Sequence, residues 1–281
     1  MHAVNIPLCR CLKKNTSEAV MKIKVVTFNL RMNTINDGIN YFFNRAPLIL
    51  QRINEEKPDI IGFQEATQPI LEWLKATLTE YTLVGIGRSK EFKSEANPIA
   101  FRKDRFELFS FNQFWLSPTP EVPGTRYEEQ STCPRVCCAA KLREIGTTDV
   151  IRFYNTHLDH IGEKARLYGM NQIIECMEED KAKSAHPIIL TGDMNAEPCE
   201  LSIKAVLSSE SLGLKDASEL VTRTFHGYRG GSPYETTGGK IDYIFTDMVP
   251  VDGTATAWED CVEGRYLSDH FPVCVTLETK A

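Results

Sequence analysis

Apolar and polar positions alternate along Lys22 to Asn29 (KIKVVTFN), the two-residue period of a strand. Arg45 to Glu56 then carries apolar residues at 46, 49, 50 and 53, which is helical spacing, and Pro58 ends it. Asp59 to Gln64 (DIIGFQ) is a short apolar strand. Thr67 to Leu78 repeats the helical period, with Ile70, Leu71, Leu74 and Leu78 on one face. From Leu83 to Thr156 nearly every apolar run reads as strand: TLVGIGR, PIAFRK, FELFSFNQFWL, RVCCAAKL and DVIRFYNTHL. Glu163 to Glu178 returns to helix, its stripe made of Leu167, Met170, Ile174 and Met177. A strand at His186–Leu190, a short helix at Pro198–Leu207, and strands at Lys240–Thr246 and Phe271–Leu277 complete the pattern. Strands interspersed with helices predict an α/β protein with two mixed sheets packed face to face and helices outside. There is no internal repeat.

Composition narrows the class. The chain has 281 residues, 42% hydrophobic and 25% charged, as in ordinary globular proteins. That length supports a large core. No apolar run approaches the ~20 residues that span a bilayer, so no membrane partner is expected. Thirty-two Lys and Arg stand against 38 Asp and Glu, a net charge of −6. Binding to duplex phosphates normally needs a basic stripe, and none is evident. The nine cysteines are odd in number and irregularly spaced. Residues 1–20 make a poor secretory leader, because their basic residues follow a short, broken apolar stretch. A reducing cytoplasm with free thiols is the expectation. Residues 1–20, with Cys9 and Cys11, read as a disordered extension, and residues 21–281 as one domain.

Chemistry-bearing residues recur at strand ends. Asn29 ends VVTFN, Glu65 follows DIIGFQ and His157 ends IRFYNTH. Asp193 and Asn195 end PIILTGDMN, Asp242 interrupts KIDYIF, and Asp269 and His270 precede FPVCV. Gathered at one rim, these groups suit a hard divalent cation and a phosphate. Each alone has a plainer reading. Glu65 could be solvated beside Thr67, a helix cap. Asp193 and Asn195 could form an Asx turn. Either histidine could be structural. Asp242 is the exception, since a carboxylate inside IDYIF is costly unless paired.

The blocks TFNLR (27–31), DIIGFQE (59–65), NTHLDH (155–160), TGDMNAEP (191–198), KIDYIF (240–245) and SDHFPV (268–273) occur in an order that resembles the endonuclease/exonuclease/phosphatase superfamily, the DNase I-like fold. The resemblance runs from about Met21 to Leu277. It implies a four-layered α/β sandwich with the site at its rim. It further implies Glu65 as principal metal ligand with Asn29 beside it and Asp269 in support, the metal being Mg²⁺ or Mn²⁺. Asp193 resembles the carboxylate that activates water, and Asn195 the amide that holds a phosphate oxygen. His270, paired with Asp242, resembles the histidine that stabilises the transition state. His157 looks like a second catalytic histidine, with Glu95 as its carboxylate partner and Asn97 as a rival contact. Arg135 resembles a substrate arginine. Arg31 and His226 complete the expected substrate contacts.

The motifs disfavour the inositol-polyphosphate branch, which carries a different block at SDHFPV. The apurinic-site enzymes commonly have tyrosine at the position of His157. What remains is similar to small bacterial deadenylase-like members, among them sugar-phosphate phosphatases, including enzymes of phosphorylated maltose. The expected function is a metal-dependent phosphatase of a small phosphorylated substrate. A nuclease of single-stranded RNA or DNA is the alternative, and a non-catalytic binding member a third. TFHGYRGGSPYETTGGK (224–240), with His226, Tyr228 and Arg229, reads as a specificity loop. The segment 115–132 reads as a second rim loop.

Overall fold

The computed structural model describes residues 20–228 and 239–280. Most of the extension, including Cys9 and Cys11, therefore lies outside the described residues, as does Arg229. The strands are β1 (Lys22–Asn29), β2 (Ile60–Gln64), β3 (Tyr81–Val84), β4 (Ile99–Arg102), β5 (Phe106–Trp115), β6 (Val136–Glu144), β7 (Val150–His157), β8 (Ile188–Asp193), β9 (Lys215–Asp216) and β10 (Asp242–Thr246). Short strands β11 (Val249–Pro250), β12 (Thr256–Ala257), β13 (Cys261–Val262) and β14 (Arg265–Tyr266) precede β15 (Val273–Glu278). The helices are α1 (Phe42–Glu56), α2 (Gln68–Thr77), α3 (Glu163–Lys183) and α4 (Leu201–Ser208).

Two mixed sheets form, as the hydrophobic pattern predicts. One runs β11-β15-β1-β2-β4-β3, with β12 also on β15, and the other β5-β6-β7-β8-β10-β9. Their central strands are buried on both faces, so alternate side chains feed different cores. Ile23 and Val25 of β1 face Ile151, Phe153, Ile189 and Ile244 between the sheets. Val26 and Phe28 of the same strand pack outward on Phe42, Ile49 and Ile53 of α1 and Leu74 of α2. On the opposite face, Tyr154, Leu190 and Phe245 meet Met170, Ile173 and Met177 of α3 and Ile203 of α4. Helix, sheet, sheet, helix are the four layers. Each fully buried aliphatic or aromatic side chain contributes about 1.5–3 kcal/mol.

The helices depart from the sequence pattern at their ends. α1 starts at Phe42 despite Pro47 within it. Phe42 is fully buried and packs edge-on against Trp73 at 5.3 Å, and this tertiary contact outweighs the hydrogen bond lost at the proline. α3 continues five residues past Glu178, where the apolar stripe has stopped. Its last turn is held by Tyr154 Oη donating to Asp180 at 2.7 Å and by Lys181 Nζ donating to the Leu212 carbonyl at 2.6 Å. Thr67 precedes α2 without capping it through its side chain; its hydroxyl donates to Asn33 instead.

Strand direction places the rim. β1 and β2 are parallel, and so are β7 and β8. Asn29 pairs with Gln64, so Glu65 follows directly at the shared end. In the second sheet His157 is level with Asp193, which is level with Asp242 on antiparallel β10. β15 runs antiparallel to β1, so Asp269 and His270, just before it, arrive at the end where Asn29 leaves. The inter-sheet layer beneath is polar as well as apolar. Gln64 Nε2 donates to Asn155 Oδ1 at 2.7 Å, and Asn155 Nδ2 to the Phe63 carbonyl at 2.7 Å. Gly62 is required there, because a Cβ would collide with Thr191 Oγ1 and Asn155 Oδ1.

Candidate active site

The rim opens into a cleft of about 420 Å³ lined by Arg31, Glu65, Arg88, Glu95, Arg135, His157, Asp193, Asn195, Asp269 and His270, among others. Asn29 and Asp242 lie directly behind this lining, each about 1% exposed.

One wall is acidic. His270 Nδ1 is 2.8 Å from Asp242 Oδ2, and its Nε2 is 3.7 Å from Asp193 Oδ2. Burial opposes a charge on this imidazole. Asp242 and Asp193 outweigh burial and hold its pKa well above the ordinary value, which favours the imidazolium. Burial, then Asp242, pushes the Asp193 carboxyl up. Glu65 behaves oppositely. Burial acts to raise it, but the Met32 N–H at 2.8 Å, the charge of His270 and the Asn29 amide at 3.1 Å bring it below the usual range. Burial raises Asp269, against the pull of His270 and Arg31.

Three residues of this wall have left-handed backbones: Arg31 (φ 53°), Glu65 (φ 57°) and Asn195 (φ 46°). Such conformations cost a non-glycine residue on the order of 1–3 kcal/mol, and local hydrogen bonds hold them. Arg31 N donates to Asn29 Oδ1 at 2.9 Å, and Asn195 N to Asp193 Oδ1 at 2.9 Å. The Asx turn at Asp193 therefore exists and is part of the site's construction rather than a substitute for it.

The facing wall is cationic. Arg88 and Arg135 are almost wholly buried, and the exposed His160 sits 2.9 Å from Arg135 Nη2. His157 bridges the walls, with Nε2 3.3 Å from Asp193 Oδ2. Burial, then the charges of Arg135 and Arg88, pushes its pKa well below the ordinary value, so this imidazole is neutral. The two histidines are thus shifted in opposite directions within one cleft.

Several expected roles change on inspection. Glu95 lines the cleft but does not hydrogen-bond His157; its carboxylate pairs with Arg88 at 2.8 Å. Asn97 is buried between the sheets and donates to the Val136 carbonyl at 3.2 Å, outside the cleft lining. His226 is fully buried and stacks on Phe271 at 4.2 Å, so it faces the core rather than a substrate. Asn29 turns its amide nitrogen toward Asp193, at 2.9 Å, and toward Glu65, while its oxygen accepts from Arg31; in this geometry it braces the carboxylates. No residue of 115–132 lines the cleft. That segment packs along α3, where Gln172 Nε2 donates to the Trp115 carbonyl at 3.1 Å. Of the loop 224–240, Phe225 reaches the cleft and packs on His270 at 4.9 Å, while 229–238 lie outside the described residues.

Arg88 and His160 are cleft residues that the sequence reading missed. His160 stood inside the quoted NTHLDH block. Arg88 carries no motif and becomes a site residue only through the bridges Ala66–Ala96 and Gly87–Ala96, which bring its loop beside Glu65.

The donor set tests the fit of a divalent cation. Glu65, His157 and Asp193 each offer a ligand atom, all within 4.8 Å of one another. Carboxylate oxygens with room for water suit Mg²⁺. Among the described residues, no helix is long and apolar enough to cross a membrane.

Residues 178–270 match the Endonuclease/Exonuclease/phosphatase family model. An endonuclease/exonuclease/phosphatase from Bacteroides vulgatus superposes with a TM-score of 0.82 at 29% identity, over 92% of this chain and 100% of that one. The mannosyl-6-phosphatase of Bacteroides thetaiotaomicron is 30% identical over 91% of this chain and 99% of its own, with a TM-score of 0.79. The fold also matches D. rerio TDP2 complexed with single-strand DNA product, at 19% identity over 92% of this chain and 99% of that one, with a TM-score of 0.68. The chain belongs to the endonuclease/exonuclease/phosphatase family.

Proposed function

We propose that this family member is a divalent-cation-dependent phosphatase of a small phosphorylated substrate such as a sugar phosphate. The observation that carries the reading is the pairing of a hydrogen-bonded Asp242–His270 dyad with the buried Asp193 in a cleft of only about 420 Å³. The net charge of −6 adds support, since a long phosphate backbone would be repelled outside the cleft. So does the 30% identity to a mannosyl-6-phosphatase, against 19% for the DNA-bound structure.

Each residue has a task in this reading. Asp242 accepts from His270 Nδ1–H and so orients the ring, leaving its Nε2–H for the cleft. From there His270 donates to a phosphoryl oxygen as negative charge grows on it. Asp193, whose proton affinity is raised, accepts the proton of the attacking water. Asn195 holds a phosphoryl oxygen, and Asn29 keeps Asp193 and Glu65 aligned. Glu65 would hold the cation, with donor atoms of His157 and Asp193 within 4.8 Å of its own and Asp269 outside that group, and the cation when bound neutralises charge on the phosphoryl and leaving oxygens.

The test is phosphate release from a hexose 6-phosphate with Mg²⁺ or Mn²⁺, beside single-stranded RNA and plasmid DNA, with His270→Ala as control. Phosphate released by the wild type alone, with both nucleic acids intact, is the expected result. Nucleic acid degraded by the wild type but not by the variant would replace the phosphatase with a nuclease.

A further inference from the structure

The cationic wall holds more hydrogen-bonding capacity than its protein partners use. Arg88 is anchored from behind: Nη2 pairs with Glu95 at 2.8 Å, and its carbonyl accepts from Trp115 Nε1 at 2.7 Å. The preceding Gly87 lies so close to its neighbours that an added Cβ would meet the Phe92 and Ser94 carbonyls at 2.6 Å. Arg135 is held similarly, with Nε 3.5 Å from Asp159 and Nη2 against His160. Asp159 is itself fixed by Gly162 N at 2.8 Å and Ser131 N at 3.1 Å. Among the described residues, Arg88 Nη1 and Arg135 Nη1 are buried and have no partner, although both side chains line the cleft. Two rigid guanidiniums with free donors are a receptor for oxyanions, which they bind by charge-assisted hydrogen bonds.

We propose that Arg88 and Arg135 form a subsite for a second oxyanion of the substrate, a phosphate or carboxylate carried on the leaving group beside the scissile phosphoester. The inference rests on the phosphatase reading and names its substrate class. The arginines are set apart from the reacting centre. Arg88 pairs with Glu95 and Arg135 with Asp159, whereas Asp193 and His270 are held by Asn29 and Asp242. His157, with Nε2 3.3 Å from Asp193 Oδ2, lines the same cleft as the two arginines. A monophosphate fills one side of the cleft, and a doubly anionic substrate fills both.

The experiment compares kcat/KM for a hexose 6-phosphate, a hexose 1,6-bisphosphate and a 6-phosphorylated aldonic acid, with Mg²⁺. The wild type should prefer a doubly anionic substrate by at least about tenfold, the preference of a desolvated charge-assisted contact. The better of the two identifies phosphate or carboxylate as the second group. Arg88→Gln should cut that preference to within about threefold. Arg88→Gln/Glu95→Gln should do the same without leaving a buried carboxylate unpaired. Equal kcat/KM for all three substrates overturns the proposal, as does a proportional loss on all three in Arg88→Gln, which would place the arginine on the scissile phosphate. Calorimetric binding of the same compounds to metal-free wild type and Arg88→Gln separates this inference from the phosphatase reading. Equal affinities overturn the subsite. Tighter binding of a doubly anionic compound by the wild type alone supports it, even if no phosphate is released.

Discussion

The two walls of the cleft are built by different means. The acidic wall consists of strand ends, where register alone aligns His157, Asp193 and Asp242 and parallel pairing sets Glu65 beside Asn29. Its groups are linked to one another, His270 to Asp242 at 2.8 Å and Asn29 to Asp193 at 2.9 Å and to Glu65 at 3.1 Å. The cationic wall consists of loop residues, each ion-paired to an acid and left with a buried, unpartnered guanidinium nitrogen among the described residues. The first wall is linked side chain to side chain, with Asp242 Oδ1 and His157 Nδ1 left without a partner among the described residues. The second is incomplete until a ligand arrives. Under the proposed reading, the first wall serves catalysis and the second recognition, and His157 lines the same cleft.

That contrast predicts unequal consequences of damage. The largest effect belongs to the acidic wall: His270→Ala should lower phosphate release on the order of 10²–10⁴-fold, with KM changed far less, in steady-state assays with saturating Mg²⁺. Near-wild-type turnover would leave the acidic wall without a catalytic role. Glu65→Gln should raise the Mg²⁺ concentration for half-maximal activity by about 10–100-fold while retaining turnover at high metal. An unchanged metal titration would move the cation away from Glu65.

The smaller effect concerns the support of the cationic wall and reads out as stability. Hydrogen bonds from Ser131 and Gly162 outweigh burial and bring Asp159 down to about 2 from an ordinary value of 3.8. The ionised carboxylate is therefore favoured by folding. Its contribution is complete above the unfolded value and is lost as pH falls from about 4 toward about 2. Asp159→Asn should lower chemical-denaturation stability near pH 7 by about 1–3 kcal/mol, the cost of unpairing buried donors. The gap from wild type should narrow as the solution is acidified through that window. A gap independent of pH would mean that Asp159 acts by packing alone.

The two walls were also unequally legible. The acidic wall could be read because its residues sit at the ends of apolar strands, and an apolar run that stops at a carboxylate or imidazole is a local signal. Asp242 stood out for a physical reason, since an unpaired carboxylate in KIDYIF would be too costly, and its partner proved to be His270. The cationic wall could not be read in this way. Arg88 lies after TLVGIG with no motif around it, and its place depends on two isolated bridges between loops. Glu95 was expected to serve His157, but the nearer guanidinium of Arg88 takes it. His226 looked available in a glycine-rich segment and instead stacks on Phe271 beside Tyr228 and Tyr266, outside the cleft lining, a placement set by contacts distant in sequence.

By itself, then, the sequence determined the layers. Periods of two and of 3.6 place apolar side chains on defined faces, and strands apolar on both faces can only sit between other layers. It also determined which residues end at the rim, since that follows from position along each strand. Only the tertiary structure decided which rim residues pair, which imidazole is charged and which guanidinium stays free. Those outcomes depend on distances of a few ångströms between segments far apart in the chain, and on burial, which makes each such distance count.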